Sequence, residues 1–289
     1  TSVWHMINID LLKECHREMD GKKAVGIDGV TKGEYEKNLE ENLTNLVERL
    51  KNRSYKPKPA RRVDIPKGKG KTRPLSIYCY EDKLIQEALR RVLEAVFEPH
   101  FYDEMMGFRP NKGCHTAIRH LNTMLEMRNT NWVLDADIKG FFDHLDHEWI
   151  IKFVESRIKD PNIIRLIKRY LKGGIIKDFA YEDTEEGSGQ GSVCSPILAN
   201  IYMHYILVWW FEECIVPKLK GYGGLVVYAD DFVVCFQYKE EAELFYELLK
   251  KADENIWAGN GRKQNQTYRI WQNGRAEQEG TGRKKAGDV

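Results

Sequence analysis

The sequence lacks any apolar run long enough to cross a bilayer; the longest candidate, Ile197 to Phe211, is broken by Asn200, His204 and Tyr205. Nor does it open with a basic-then-apolar signal, since it starts Thr1, Ser2, Val3, Trp4, so a cytoplasmic protein with no membrane partner is expected. Its six cysteines (Cys15, Cys79, Cys114, Cys194, Cys214, Cys235) have no paired spacing, which favours buried free thiols over disulfides or zinc. His144 and His147 form an HxxH pair, but no Cys or Glu stands at zinc-ligand spacing, so a structural or solvated role is expected. There is no internal repeat. A net charge of +1 points to no class of partner by itself.

What is present is the composition of a globular chain, and 289 residues suffice for one large domain or two lobes. Charge is unevenly distributed: between Lys51 and Arg73 ten Lys or Arg residues face the single acidic Asp64. Such a run is usually a solvated face. Here it is interleaved with Pro57, Pro59, Pro66, Gly68 and Gly70, which predicts an extended basic arm or hairpin able to lie along phosphates.

Apolar spacing predicts helices over Lys37–Leu50 and Asp82–Phe97, the second stopped by Pro99. A short strand is expected at Trp132–Ile138, followed by a helix from about His147. A flexible GSGQG loop spans Gly187–Gly191, and a long helix runs from about Ser195 to Glu213. Two β-branched and aromatic runs, Gly224–Ala229 and Phe232–Phe236, read as the buried strands of a hairpin, and a helix follows from Lys239 to Lys251.

Tyr228-Ala229-Asp230-Asp231 sits at the tip of that hairpin. Adjacent carboxylates repel unless water, a base or a cation compensates. Taken alone the pair is equally an exposed turn, because Asp is a common turn residue. The second strand ending in carboxylates, Asp135-Ala136-Asp137, shifts the balance. Asp137, Asp230 and Asp231 can meet at one sheet edge and hold two Mg²⁺ ions, for which carboxylate and phosphate oxygens are the preferred ligands. Two such ions about 4 Å apart activate a primer 3′-hydroxyl and stabilise leaving pyrophosphate. Positioning and charge then do most of the catalysis.

The YADD turn, together with DADIKGFFDHLDHEW and GSGQGSVCSPILANIYM, resembles the reverse transcriptases encoded by group II introns. So does IPKGKGKTRPLSIYCYEDKLIQEALRRVLEAVFEPHF leading into MMGFRPNKGCHTAI, and the likeness runs from about Tyr55 to Lys250 with its motifs in family order. The resemblance implies an α+β right-hand polymerase fold, with an antiparallel palm sheet backed by helices. It places fingers at residues 1–100, with the basic arm at 51–73, and a palm at 101–253 carrying a finger insertion at about 146–186. It implies an RNA-directed DNA polymerase using two Mg²⁺ ions, with Mn²⁺ as a substitute. Its partners would be template or intron RNA, a DNA or RNA primer and dNTP, in a bacterial or organellar setting.

Carried over by position, Asp137 is the first-strand metal ligand and Asp230 and Asp231 are the hairpin pair; Asp135 reads as a polar strand residue. Phe142, five residues after Asp137, matches the gate under the sugar of the incoming nucleotide, where an aromatic favours dNTP; Phe141 reads as core. Lys67 and Arg73 match the residues that grip the triphosphate, as a mobile point charge and a planar fork. Lys69 and Lys71 read as exposed or on template phosphates. Gln190 and Gly191 match the loop touching nucleotide and template, where glycine admits close backbone approach. Arg109, Asn111 and Gly113 match a segment beside the template. Two other readings stand: an intron-RNA-binding splicing cofactor without polymerase activity, and a retron or defence-type relative.

After Asp253 the composition turns rich in Gly, Asn, Gln and Arg, with no period of 2 or 3.6. Where the resemblance implies a pattern like FGLxLxxxK…FG, the chain reads NIWAGNGRKQNQTYRIWQNG. Trp has one codon, so starting at the second base turns Trp257 and Trp271 into Gly, and the preceding Ile256 and Ile270 can become Phe. With permitted codons Asn255–Asn273 becomes IFGLEMEENKIRLIEFGRM. The expectation is therefore a disordered or frameshifted tail over 254–289 and no thumb bundle or endonuclease pattern. The palm would lack its last element, leaving an apolar face open to self-association as a homodimer.

Overall fold

The structure, a computed structural model, describes residues 2–68, 70–138, 141–143, 145–177, 180–182, 191–252, 267–272 and 275–276. In chain order the elements are α1 (Ile9–Glu18), α2 (Lys32–Glu36), α3 (Leu39–Lys51), β1 (Ala60–Gly68), β2 (Lys71–Ile77), α4 (Tyr80–Phe97), α5 (Cys114–Met127) and β3 (Trp132–Asp137). There follow α6 (His147–Glu155), α7 (Pro161–Leu171), β4 (Ile175–Lys177), β5 (Ala180–Glu182), α8 (Ser195–Met203), β6 (Gly223–Tyr228), β7 (Asp231–Phe236), α9 (Lys239–Ala252), β8 (Thr267–Gln272) and β9 (Arg275–Ala276). They fall into two compact units: residues 1–100 with 142–202, and residues 101–141 with 203–289. The stretch that returns to the first unit is longer than the insertion expected at about 146–186.

In the first unit the basic run folds as the β1–β2 antiparallel hairpin, in register from Arg61↔Ile77 to Ile65↔Arg73, with an irregularity between Pro66 and Gly68. Strand β4 adds to β1 in parallel, and β5 pairs with β4. Helix α4 buries Leu84, Ile85, Ala88, Leu89, Val92 and Leu93, the stripe its periodicity predicts. A polar staple crosses this core. Asp82 of α4 accepts from the Tyr55 hydroxyl and from Lys58 N at 3.1 Å, while the Tyr55 and Tyr170 hydroxyls lie 2.7 Å apart. Burial pushes the Asp82 carboxyl up to about 6, and the bonds from Tyr55 and Lys58 pull against that rise. Helix α7 starts where sequence chemistry says it should: Asp160 caps Asn162 N at 3.0 Å and Pro161 occupies the first turn.

The second unit is built on the sheet β6-β7-β3-β8-β9, antiparallel throughout. Strand alternation sends Leu134 and Ala136 to one face and Asp135 and Asp137 to the other. One face meets aromatic packing, with Phe245 of α9 lying 5.5 Å from Phe236 and 5.4 Å from Phe211, ring centre to ring centre. On the other, Met124 and Ala117 of α5 cluster with Val226 and Cys235, against which Val133 and Val233 pack. Helix α5 thus covers the part of that face distant from the aspartates.

Two differences from expectation stand out. The single helix expected over Ser195–Glu213 is α-helical over Ser195–Met203 and again at Trp209 and Trp210, while His204–Val208 and Phe211–Ile215 take π-helical hydrogen bonding. Over five residues an i+4 and an i+5 ladder leave nearly the same apolar spacing, so periodicity cannot separate them. The tail, expected to be irregular, supplies β8, which pairs with the whole of β3 from Trp132↔Gln272 to Asp137↔Thr267. The edge of β3 opposite β7 is therefore occupied, which removes the ground for expecting self-association at an uncovered palm element. Four of the six cysteines are buried thiols, Cys214 is half-buried and Cys114 exposed. Among the described residues no helix is long and apolar enough to cross a membrane.

Candidate active site

Three carboxylates gather at one end of the second unit's sheet because of strand register alone. Asp137 ends β3 directly opposite Asp231, which begins β7. Tyr228↔Asp231 closes the β6–β7 hairpin around Ala229 and Asp230, and Ile138 N donates to the Asp230 carbonyl at 3.3 Å. Ala229 has a φ of 59°, a value usually taken by glycine in two-residue hairpin turns, so this turn carries roughly 1 kcal/mol or more of backbone strain. Something else must hold it.

That support comes from the segment before α5. Val227 N donates to the Glu104 carbonyl at 2.9 Å, and Met106 N donates to the Val227 carbonyl at 2.8 Å. These bonds extend β6 by one parallel step at Met105. Gly107 then lies directly on the turn: a Cβ there would stand 2.4 Å from Ala229 N and 3.1 Å from Ala229 Cα. Sequence reading missed Gly107, although it sits in the GFRPNKG motif, because the motif was assigned as a whole to the template.

The carboxylates remain open to solvent: Asp135 and Asp231 are exposed and Asp137 and Asp230 are half-buried. Partial burial, then repulsion from Asp230, Asp137 and Asp135, raises the Asp231 carboxyl above its ordinary range. Such mutual repulsion is what a bound cation relieves, and an all-oxygen donor set suits Mg²⁺. Among the described residues, no three His, Cys, Asp or Glu side chains already close into a metal cage. The backbone brings the donors together; their closure onto an ion is left to side-chain rotation.

The other predicted residues divide. Arg109 is buried; its guanidinium donates to the carbonyls of Tyr102 and Met105 and lies over the Phe101 ring at 5.4 Å. These contacts hold the loop that supports the hairpin. Asn111 is exposed with a φ of 59°, and Gly113 precedes α5 with open space at its Cβ position. Lys112 pairs with Asp103 at 2.7 Å.

In the first unit Lys67 lies at the irregularity near the hairpin tip, and Arg73, opposite Ile65, is exposed. Lys71 pairs with Gly68 on the same hairpin. Gly191 has a φ of 106°, and a Cβ there would meet the Ser76 carbonyl oxygen at 2.5 Å. A glycine is required, and it brings the loop against the strand that carries Arg73. Buried Gln86, which the sequence gave no reason to single out, fixes this loop by accepting from Val193 N at 3.0 Å. Phe141 is fully buried, as core, and Phe142 half-buried. Lys69, Gln190 and His144 lie outside the described residues.

Comparison with known proteins identifies the chain's relatives. A family model described as reverse transcriptase (RNA-dependent DNA polymerase) matches residues 65–256. The chain belongs to the reverse transcriptase family. Group II intron-encoded protein LtrA of Lactococcus lactis subsp. cremoris is 36% identical over 201 residues, covering 69% of this chain and 33% of that one. The putative COX1/OXI3 intron 1 protein of Saccharomyces cerevisiae is 34% identical over 217 residues, covering 75% and 26% respectively. The chain thus spans about a third or less of these relatives. A structure of apo telomerase from Candida tropicalis, truncated from the C-terminal domain, matches with a TM-score of 0.54 at 15% identity, covering 73% of this chain and 50% of that one. That likeness supports a right-hand polymerase fold, and the antiparallel sheet backed by helices in this reverse transcriptase agrees with it. The family match ends at residue 256, where the composition changes.

Proposed function

We propose that this chain carries the nucleotide-transfer centre of an RNA-directed DNA polymerase of the group II intron type. In this reading its first unit serves as fingers and its second as palm. The observation that carries the reading is the register that sets Asp137 opposite Asp231 with Asp230 in the adjoining turn, on a sheet end that α5 leaves uncovered. These three carboxylates would hold divalent cations, which when bound supply the charge that activates a primer hydroxyl and steadies leaving pyrophosphate. The chain's own task is positioning. Gly107 and the 104–106 segment hold the turn, and Arg73 and Lys67 of the β1–β2 hairpin are assigned to a triphosphate. Gln86 and Gly191 fix the loop from residue 191, and Gln190 is assigned to the incoming base and template. Phe142 is assigned to sugar selection, and Asn111, Gly113, Lys69 and Lys71 to the template strand.

Intron RNA binding is a second activity of the same piece. It is favoured by relatives that include a nuclear intron maturase of Arabidopsis thaliana, 29% identical over 93 residues. The test is primer extension on poly(rA)/oligo(dT) with dTTP and Mg²⁺, beside filter binding of RNA. Extension by the parent, abolished in Asp230→Asn with RNA binding kept, is the expected result. Extension that survives Asp230→Asn under saturating Mg²⁺ rules the centre out. Retained binding with no extension by the parent leaves the splicing-cofactor reading.

A further inference from the structure

Helix α7 turns its apolar side chains inward: Ile163, Ile164, Leu166, Ile167, Tyr170 and Leu171 are all buried. Past Pro161 and Asn162 in the first turn, its outward positions are basic. Arg165, Lys168, Arg169 and Lys172 stand at i, i+3, i+4 and i+7, which is one helical face. Lys159, just before the helix, and Arg53, at the end of α3, extend the row. The macrodipole accounts for cations in the last turn, Lys168 and Arg169, but not for Arg165 or Lys159 near the first turn, where a cation is unfavourable. Among the described residues none of Lys159, Arg165, Lys168 and Lys172 is engaged in an ion pair. Asp160, which adjoins the row, is committed to the amides of Val3, Trp4 and Asn162 and the Ser2 hydroxyl. Among the described residues, Glu155 lines the same hollow as Lys159, Arg165 and Lys168.

The surface is shaped as well as charged. Two hollows adjoin it, of about 460 Å³ beside Trp4, His5 and Lys159 and about 570 Å³ beside Lys159, Arg165 and Lys168. Asp160 pins the chain's start so that Trp4, half-buried, lines the first hollow and the neighbouring cleft with Arg165. Arg169 holds the other wall by donating to the carbonyls of Tyr55 and Arg53. A row of unpaired cations beside one aromatic is the pattern that binds unpaired RNA, phosphates along the row and a base on the ring.

We infer that the α7 face, with Lys159, Arg165, Lys168 and Lys172 on phosphates and Trp4 under a base, is a single-stranded RNA-binding surface separate from the aspartate centre. The inference rests on the nucleic-acid-binding half of the proposed function, and names the surface responsible.

The test is filter binding of poly(rU) by the full chain across a KCl series. A triple variant, Arg165→Ala/Lys168→Ala/Lys172→Ala, is compared with a charge-matched control, Lys22→Ala/Lys23→Ala/Lys37→Ala, on exposed residues. Each phosphate contact contributes about 0.7 to the slope of log K against log salt for single strands, so the α7 triple should lower its magnitude by about 2 and the control by none. Trp4→Ala should weaken binding roughly 5- to 100-fold at every salt concentration without changing the slope. An unchanged slope in the α7 triple, or equal losses in both triples, overturns the inference. So does equal binding of polyglutamate, which would mark the face as a site for acidic protein. An unaffected Trp4→Ala removes the stacking platform. If the triple fails to fold, Arg165→Gln and Lys168→Gln singly should each lower the slope by about 0.7. Failure of the polymerase reading looks different: the parent then extends no primer while its salt-dependent binding still falls in the α7 triple.

Discussion

Gly107→Ala is the sharpest probe of how this fold holds its carboxylates. The added Cβ would stand 2.4 Å from Ala229 N, 3.1 Å from Ala229 Cα and 3.2 Å from Tyr228 C, all backbone atoms with no rotamer to escape through. Ordinary contact begins about 1 Å further out, so turn and loop must part by roughly that amount. The 104–106 segment cannot simply drift away, since it is bonded to Val227 through both its amide and its carbonyl. The displacement therefore falls on the turn, one residue from Asp230. Overpacking of this kind costs roughly 1–3 kcal/mol of stability. A misplacement of about 1 Å at reacting groups costs on the order of 100-fold in rate. Single-turnover dTMP addition and thermal melting, measured on the same preparation, should show both effects. A Gly107→Ala protein with the parent's rate and melting temperature would refute the claim that this contact positions the aspartates.

Asp231→Asn should stabilise the cation-free protein. The folded carboxyl is raised above its unfolded value by burial and by Asp230, Asp137 and Asp135, so its ionisation opposes folding once the pH exceeds the carboxylate range. The gain in melting temperature should appear near neutral pH in EDTA and vanish as pH falls through that range; no gain at neutral pH contradicts the electrostatic reading. Phe142→Val should raise ribonucleotide incorporation relative to deoxynucleotide, and an unchanged ratio returns Phe142 to core packing. The DNA coding residues 254–289 should carry an open frame starting at the second base that reads IFGLEMEENKIRLIEFGRM; a stop codon within it makes the tail simply a tail. In that reading Leu-Ile-Glu-Phe-Gly-Arg would occupy the positions of β8, which already pairs with β3.

The hairpin and its acids were legible because two β-branched strands flanking an Asp pair allow few structures, and the register follows from the two-residue turn. Helices α3 and α4 were legible from one-sided apolar spacing. Helix α7 carries equally clear signals, Asp160-Pro161 at its start and a basic row at i, i+3, i+4 and i+7. What a local reading could not reach was long-range contact. Nothing in the sequence around Gly107 shows that it meets Ala229, and nothing around Arg109 shows that its guanidinium donates to the carbonyls of Tyr102 and Met105. The same holds for Gln86, whose role depends on Val193, 107 residues away. The strand at Thr267–Gln272 escaped for a different reason: its residues show no clean alternation, and its place is set by the open edge of β3.

Whether Asp137, Asp230 and Asp231 form a divalent-cation site is read directly from Mn²⁺ binding followed by electron paramagnetic resonance, which requires no turnover. The parent should bind Mn²⁺ saturably and release it to Mg²⁺, while Asp137→Asn/Asp231→Asn, folded by circular dichroism, should lose that binding. Equal Mn²⁺ binding by the parent and the double variant would contradict the account.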